Sequence, residues 1–157
     1  MATSADPRDV ARRGRELAGL EYIGLLLRGE LPPPPIAELV GFRLVEAEPG
    51  RAVFEMTPGT QHYNPIGWVH GGIALTLLDS AMGCAVHTLL DAGVGYTTLE
   101  VKTNFVRPIT ADTGAVRCEG VVVHPGSRVA TAEGRVTDAS GKLLAHGTTT
   151  CLILRGD

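Results

Sequence analysis

A chain of 157 residues with a formal net charge of −3 fits one domain with a real core and leaves little room for a second. Hydrophobic residues make up 44% and charged residues 20%, an ordinary globular balance, and no run of Lys or Arg offers a footprint for nucleic acid or an anionic membrane. Cys84, Cys118 and Cys151 stand far apart with no CxxC or Cys/His ligand spacing, so no disulfide framework and no metal site is expected, only reduced core thiols in a cytoplasmic protein.

The opening "MATSADPRDVARRGRELAG" mixes acids and bases and never reaches an apolar stretch followed by a small-residue cleavage site, so it does not read as a secretory signal. From Asp9 to Gly29 the apolar positions Val10, Leu17, Leu20, Ile23, Leu26 and Leu27 recur near helical spacing with charges between them, which predicts one surface helix. "PPPP" at 32–35 ends it, because proline lacks the amide proton and forces its predecessor extended, and "IAELVGF" has room for only a short helical turn. Residues 1–35 therefore read as an N-terminal helical extension with a Pro-rich connector, and residues 36–157 as a single domain.

"FRLVEAEPGRAVFEMTP" alternates inward and outward residue types on either side of Pro49-Gly50 and predicts a hairpin. "TQHYNPIGWV" follows as a loop, and "HGGIALTLLDSAMGCAVHTLLDAG" as a central helix closed by Gly93 at a C-cap position. Gly71 to Leu90 is long enough to suggest a membrane span, but Asp79 and His87 interrupt it and basic flanks are lacking. Four β segments come next, Tyr96 to Val106, Gly114 to His124, Arg128 to Thr137 and Leu143 to Leu154, joined by turn chemistry that links antiparallel neighbours. One long helix apolar on most of its circumference, set among hairpin-linked strands, predicts an α+β fold: a strongly curved antiparallel sheet wrapped around that helix.

Within the central helix Gly72, Thr76, Asp79, Ser80, Gly83 and His87 are mostly spaced by three or four and form one stripe along an apolar cylinder. Small residues alone suit a close helix–helix contact, with Asp79 satisfied by a neighbouring hydroxyl. Asp79 asks for more, since Ser, Asn or Ala would serve packing at a smaller desolvation penalty. Gly71 and Gly72 open the helix, where the first amide protons lack acceptors and the dipole is positive, a place for a carbonyl oxygen or simply a tight turn. Gly71 and Asp79 lie about 12 Å apart along the axis, too far to act on one small group. Two such helices lying antiparallel across a two-fold axis would bring Gly71 of one near Asp79 of the other, which predicts an obligate dimer with shared sites.

"N-x-x-G-x-x-HGG" with Asp eight residues after the first Gly of the pair, here Asn64, Gly67, His70, Gly71, Gly72 and Asp79, resembles the hotdog-fold acyl-CoA thioesterases of the phenylacetic-acid-degradation type. The resemblance runs from Phe42 to Leu154 by order of elements and leaves out the N-terminal helix. It implies homodimers, commonly paired into tetramers, a small-molecule acyl-CoA as substrate and no cofactor, CoA being part of the substrate. Asp79 matches the catalytic carboxylate, as general base or nucleophile, and Gly71 the residue whose amide polarises the thioester carbonyl. Asn64 matches the side chain that positions thioester or water. A hydroxyl near the start of the following strand holds the water. Thr97 and Thr98 both offer one, on opposite strand faces, and Thr98 is the preferred of the two.

His70 stands at the N-cap, shaping the turn or taking part in chemistry. Tyr63 and Trp68 flank the loop as walls of an acyl pocket or, for Trp68, as buried packing. The resemblance sets Arg107 and Pro108, and the turn Gly126-Ser127-Arg128, near the CoA pantetheine and phosphates; either Arg also suits a solvated surface. Cys84 reads as core, having no His beside it in a recognisable arrangement. Two other readings compete. A non-catalytic acyl-CoA sensor needs no positioned base, and the Arg12, Arg13 and Arg15 cluster is too short and mixed for DNA. A dehydratase or hydratase of the same fold wants a His paired with an acid, and the sequence around such a His is absent.

Overall fold

The structure, a computed structural model, describes residues 6 to 155. Helices α1 (Pro7–Arg15), α2 (Gly19–Leu27) and α3 (Pro35–Val40) lead into strands β1 (Phe42–Glu48) and β2 (Arg51–Met56). The central helix α4 (Gly71–His87) follows, then β3 (Val94–Phe105), β4 (Val116–Pro125), β5 (Val129–Asp138) and β6 (Leu143–Arg155). The strands form one antiparallel six-stranded sheet in the order β1-β2-β4-β5-β6-β3, wrapped around α4. The Pro49-Gly50 hairpin is present, with Gly50 at a φ of 77° that few other residues adopt.

Two glycines of a paired row decide how closely α4 seats, while the third lies against the Lys102 carbonyl of β3. Gly120, Gly134 and Gly147 pair directly with one another across β4, β5 and β6. A Cβ at Gly120 would stand 2.5 Å from the Ala81 carbonyl oxygen and the Met82 amide nitrogen, so the helix backbone lies against bare strand backbone. A Cβ at Gly134 would stand 2.8 Å from Leu78 Cδ2. The helix face so seated buries Leu77, Leu78, Ala81, Met82 and Ala85, each large aliphatic side chain contributing about 1.5–3 kcal/mol. On the outer face, charge replaces apolar surface: Arg51 bridges Glu46 at 2.9 Å and Glu48 at 3.0 Å and also meets Glu119, while Arg117 joins Glu46.

Three expectations are corrected. The single helix from Asp9 to Gly29 is two helices, α1 and α2, so the extension carries more than one extra N-terminal helix. The chain breaks at Ala18, whose ψ of 144° is extended, because Gly19 must lay its backbone on the end of α4: a Cβ there would overlap the His87 carbonyl oxygen, and the Gly19 amide donates to Leu90 O at 2.8 Å. The central helix stops at His87, short of Gly93. Thr88 ends it, its hydroxyl donating to Ala85 O at 2.6 Å and accepting from the Gly50 amide at 2.8 Å, which ties the helix end to the β1–β2 hairpin. Trp68 is 49% exposed, not buried packing, because the loop presents it to a surface cavity.

Candidate active site

Asp79 lies midway along α4, half-buried, and Thr98 Oγ1 on β3 donates to its Oδ1 at 2.8 Å. Strand alternation turns Thr98 inward and Thr97 out to solvent, so only the first faces the helix. The second carboxylate oxygen, Oδ2, has no partner among the described residues. A bulge follows at once: Thr98 pairs with Cys151 and Glu100 with Thr150, leaving Leu99 unpaired and 57% exposed on the sheet edge.

At the start of α4, His70 caps the helix. Its Nδ1 accepts from the Gly72 amide at 2.8 Å, which puts the ring proton of the neutral imidazole on Nε2, and its carbonyl accepts from Ile73 N at 2.9 Å. Gly71 alone in this turn donates to no acceptor among the described residues, at the positive end of the helix dipole. The Phe105 ring lies over it, so close that a Cβ at Gly71 would stand 2.9 Å from Phe105 Cζ. Asn64 Oδ1 accepts from the Ile66 and Trp68 amides at 3.1 and 3.2 Å, which folds the loop and leaves the side-chain NH2 as its only free polar group. A cleft of about 420 Å³ opens here, lined by Asn64, Trp68, Gly71, Phe105, Arg107 and Ile109, with Pro108 beside them. The Arg107 guanidinium is held at its mouth by donating to Leu143 O at 2.6 Å.

Gly126 and Ser127 lie elsewhere, lining a smaller cavity of about 190 Å³ with Val86 and Leu89 at the far end of α4, and Arg128 is exposed on the same turn. Gly71 and Val86 are roughly 22 Å apart along the helix, so one chain does not bring the two turns to a single site. Nor does it unite Gly71 with Asp79, eight positions on. Gly126 is required by its own turn, since a Cβ there would overlap Val129 O.

Burial, and then the Asp79 charge, push the Cys84 thiol up to about 12, so it stays protonated and is no nucleophile at neutral pH. Burial raises the Tyr96 phenol well above its ordinary range and lowers His87, which keeps that imidazole neutral. Tyr63, expected near an acyl pocket, instead braces the loop by accepting from the Ala111 amide at 2.9 Å. Tyr96, in "GYTT", shares the inward face of Thr98 two residues on, whereas Phe105, in "NFVRP", is 59% exposed at the end of β3 and only the tertiary structure lays it over Gly71.

No helix among the described residues is long and apolar enough to cross a membrane. A curved sheet around one helix, with a carboxylate at mid-helix and an unpaired amide at the helix start, defines a hotdog-fold thioester hydrolase. The comparison with protein families agrees: residues 66–145 match the Thioesterase superfamily, and the chain belongs to that family. It is 34% identical over 120 residues to a protein of Saccharolobus solfataricus named "Putative esterase", covering 76% of this chain and 84% of that one. Human acyl-coenzyme A thioesterase 13 is 28% identical over 104 residues, 66% of this chain and 74% of that protein. Among solved structures, a "phenylacetic acid degradation-related protein" from Ralstonia eutropha superposes with a TM-score of 0.75 at 29% identity, over 83% of this chain and 98% of the other.

Proposed function

We propose that this chain hydrolyses acyl-CoA thioesters to a free carboxylic acid and CoA, with Asp79 as general base or nucleophile and the Gly71 amide of a second copy polarising the thioester carbonyl. The observation that carries the reading is the 2.8 Å bond from Thr98 to Asp79, which fixes the carboxylate and leaves Oδ2 free for a water. In the base form, Oδ2 takes a proton from that water as its oxygen attacks the carbonyl carbon. The carbonyl electron pair moves onto oxygen and is held by the Gly71 amide and the Asn64 NH2. Collapse breaks the C–S bond, and the departing CoA thiolate takes the proton that Asp79 had accepted, which returns the carboxylate. A thioester is activated enough for one base and fixed donors to suffice, so the proposal invokes no cofactor and no metal.

The roughly 12 Å between Gly71 and Asp79 in one chain is the reason for the second copy, its α4 antiparallel to the first. β3 supports this reading: it is an edge strand with Leu99 and Phe105 exposed at 57% and 59%. Pairing of such dimers gives the tetramer. The cleft at Gly71, with Arg107 and Pro108, takes the pantetheine arm, and Gly126, Ser127 and Arg128 of the Asp79 protomer contact phosphate. His70 and Gly72 shape the helix start, since their polar groups satisfy each other, and Thr97 faces away from substrate. The substrate is water-soluble and the site needs neither membrane nor nucleic acid, which suits a cytoplasmic enzyme; the human relative's name specifies the same substrate class.

Thiol release from a panel of aryl- and alkyl-CoA thioesters tests the proposal. Asp79→Asn keeps the shape and removes the base, and is expected to lower kcat by about 10²–10⁴-fold with acyl-CoA still bound. A wild type that binds acyl-CoA and releases no thiol, or an Asp79→Asn variant with full turnover, would refute it.

A further inference from the structure

Along β3 the inward residues are Tyr96 and Thr98, then Val101 and Thr103. Strict alternation cannot produce the odd step from Thr98 to Val101. The bulge at Leu99 supplies it: Thr98 pairs with Cys151 and Val101 with Thr149, so a step of three residues on β3 stands opposite a step of two on β6. Without the extra residue, a strand that keeps Val101 in the core would turn Thr98 to solvent and Thr97 toward α4. The bond from Thr98 to Asp79 therefore depends on the bulge staying where it is.

What holds the bulge is a side chain of the neighbouring strand. A bulge disrupts the ladder around it, and Thr149 Oγ1 on β6 donates to the Glu100 carbonyl, immediately after the extra residue, at 2.8 Å. Thr149 is 2% exposed, one of few polar side chains buried among the described residues, and Cys151, two positions on along β6, is 0% exposed. Burial pushes the Cys151 thiol up, and the hydroxyls of Thr149 and Thr98 beside it act the other way. Val would fill the Thr149 position with no hydroxyl to desolvate, so packing alone does not call for threonine there.

We propose that Thr149 is a positioning residue for the hydrolysis: by holding the Glu100 carbonyl it fixes the bulge that turns Thr98 toward Asp79. This rests on the thioesterase reading, in which Thr98 holds the carboxylate. Removing the Thr149 hydroxyl leaves a buried carbonyl without its donor, and the strand relieves that by shifting at the bulge. Thr98 moves with it, and a hydrogen bond of 2.8 Å tolerates little displacement. Thr149 thus acts on the chemistry through Thr98, and its effect vanishes when Thr98 has no hydroxyl to aim.

The test is kcat and KM, on the member of the aryl- and alkyl-CoA panel that wild type turns over fastest, for wild type, Thr149→Val, Thr149→Ser, Thr98→Val and the double variant Thr98→Val/Thr149→Val. Thr149→Val keeps the shape and is expected to lower kcat about tenfold with KM within about twofold, the pattern of a misplaced catalytic group. Thr149→Ser, which restores the donor, is expected to stay within about threefold of wild type. Adding Thr149→Val to Thr98→Val should lower kcat by less than about twofold more, since both act through one bond. Thr149→Ala carries the test if Thr149→Val does not fold. A folded Thr149→Val with wild-type kcat and only a lower Tm, a change confined to KM, or a double variant in which the two losses multiply would overturn the role of Thr149 while leaving the thioesterase standing. Absence of thiol release by wild type on the whole panel would overturn both.

Discussion

Replacing Gly120 by alanine places a methyl carbon 2.5 Å from the Ala81 carbonyl oxygen and 2.5 Å from the Met82 amide. Ordinary contact begins near 3.4 Å, so helix and strand must part by about 0.9 Å, and neither neighbour is a side chain that can rotate away. Overpacking against backbone is expected to cost about 3 kcal/mol, the upper part of the usual range. For a domain of this size that lowers Tm by roughly 6–12 °C. The same displacement acts on function, since Asp79 sits on the same helix two residues before Ala81. Moving it by nearly 1 Å stretches its 2.8 Å bond to Thr98 out of hydrogen-bonding range, and a misplacement of that size costs up to about 10²-fold in kcat. Differential scanning calorimetry and thiol-release kinetics read the two effects. Gly95→Ala is the control, because a Cβ there meets only Leu154, at 3.9 Å. A Gly120→Ala protein melting within 2 °C of wild type, no lower than Gly95→Ala, would show that the helix does not rest on the glycine row.

Thr98→Val removes the donor to Asp79 and should lower kcat/KM by about 10–100-fold, as expected for a hydrogen bond to a charged group, while Thr98→Ser stays within about threefold; steady-state kinetics on both variants checks this. Burial depresses His87, so between its folded and unfolded pKa values the unfolded chain binds the extra proton. Stability is then full above the unfolded value near 6.5 and is lost as pH falls below it, by at most about 1.4 kcal/mol per pH unit. Urea midpoints from pH 7.5 to 5.5 should decline in wild type and less steeply in His87→Phe; equal slopes would remove His87 from the account. Cys84, with its thiol pushed up to about 12, should resist a thiol-specific reagent at pH 8 until the protein unfolds, and Cys84→Ala should keep thioesterase activity within about threefold.

Much of this arrangement is local enough to be read without coordinates. The 3.6-residue period and the two glycines after His70 place the start of α4 at Gly71. Pro49-Gly50 marks its hairpin by turn chemistry alone. The strands fall within a residue or two of where alternation and the Gly- and Asp-rich turns put them. The candidate site is legible as a set of residue types at fixed offsets, because the spacing of Gly71 and Asp79 on a helix is a matter of rise per residue. Thr98 is preferred over Thr97 on the resemblance alone, since alternation orders two faces without saying which one meets the helix.

The sequence by itself determined the kinds of element, their order and the axial distance between a free amide and a carboxylate, all consequences of short-range periodicity. Tertiary structure alone decided where the extension breaks, where α4 stops and which threonine meets Asp79. Each of these depends on partners far along the chain: Gly19 against the His87 carbonyl, Thr88 against the Gly50 amide, and a bulge at Leu99 that follows the Thr98–Cys151 pair. The seating of α4 on Gly120 and Gly134 belongs to the same class. A strand glycine looks locally like a weak point, and only the helix laid across two of them paired in register makes the missing side chains a requirement.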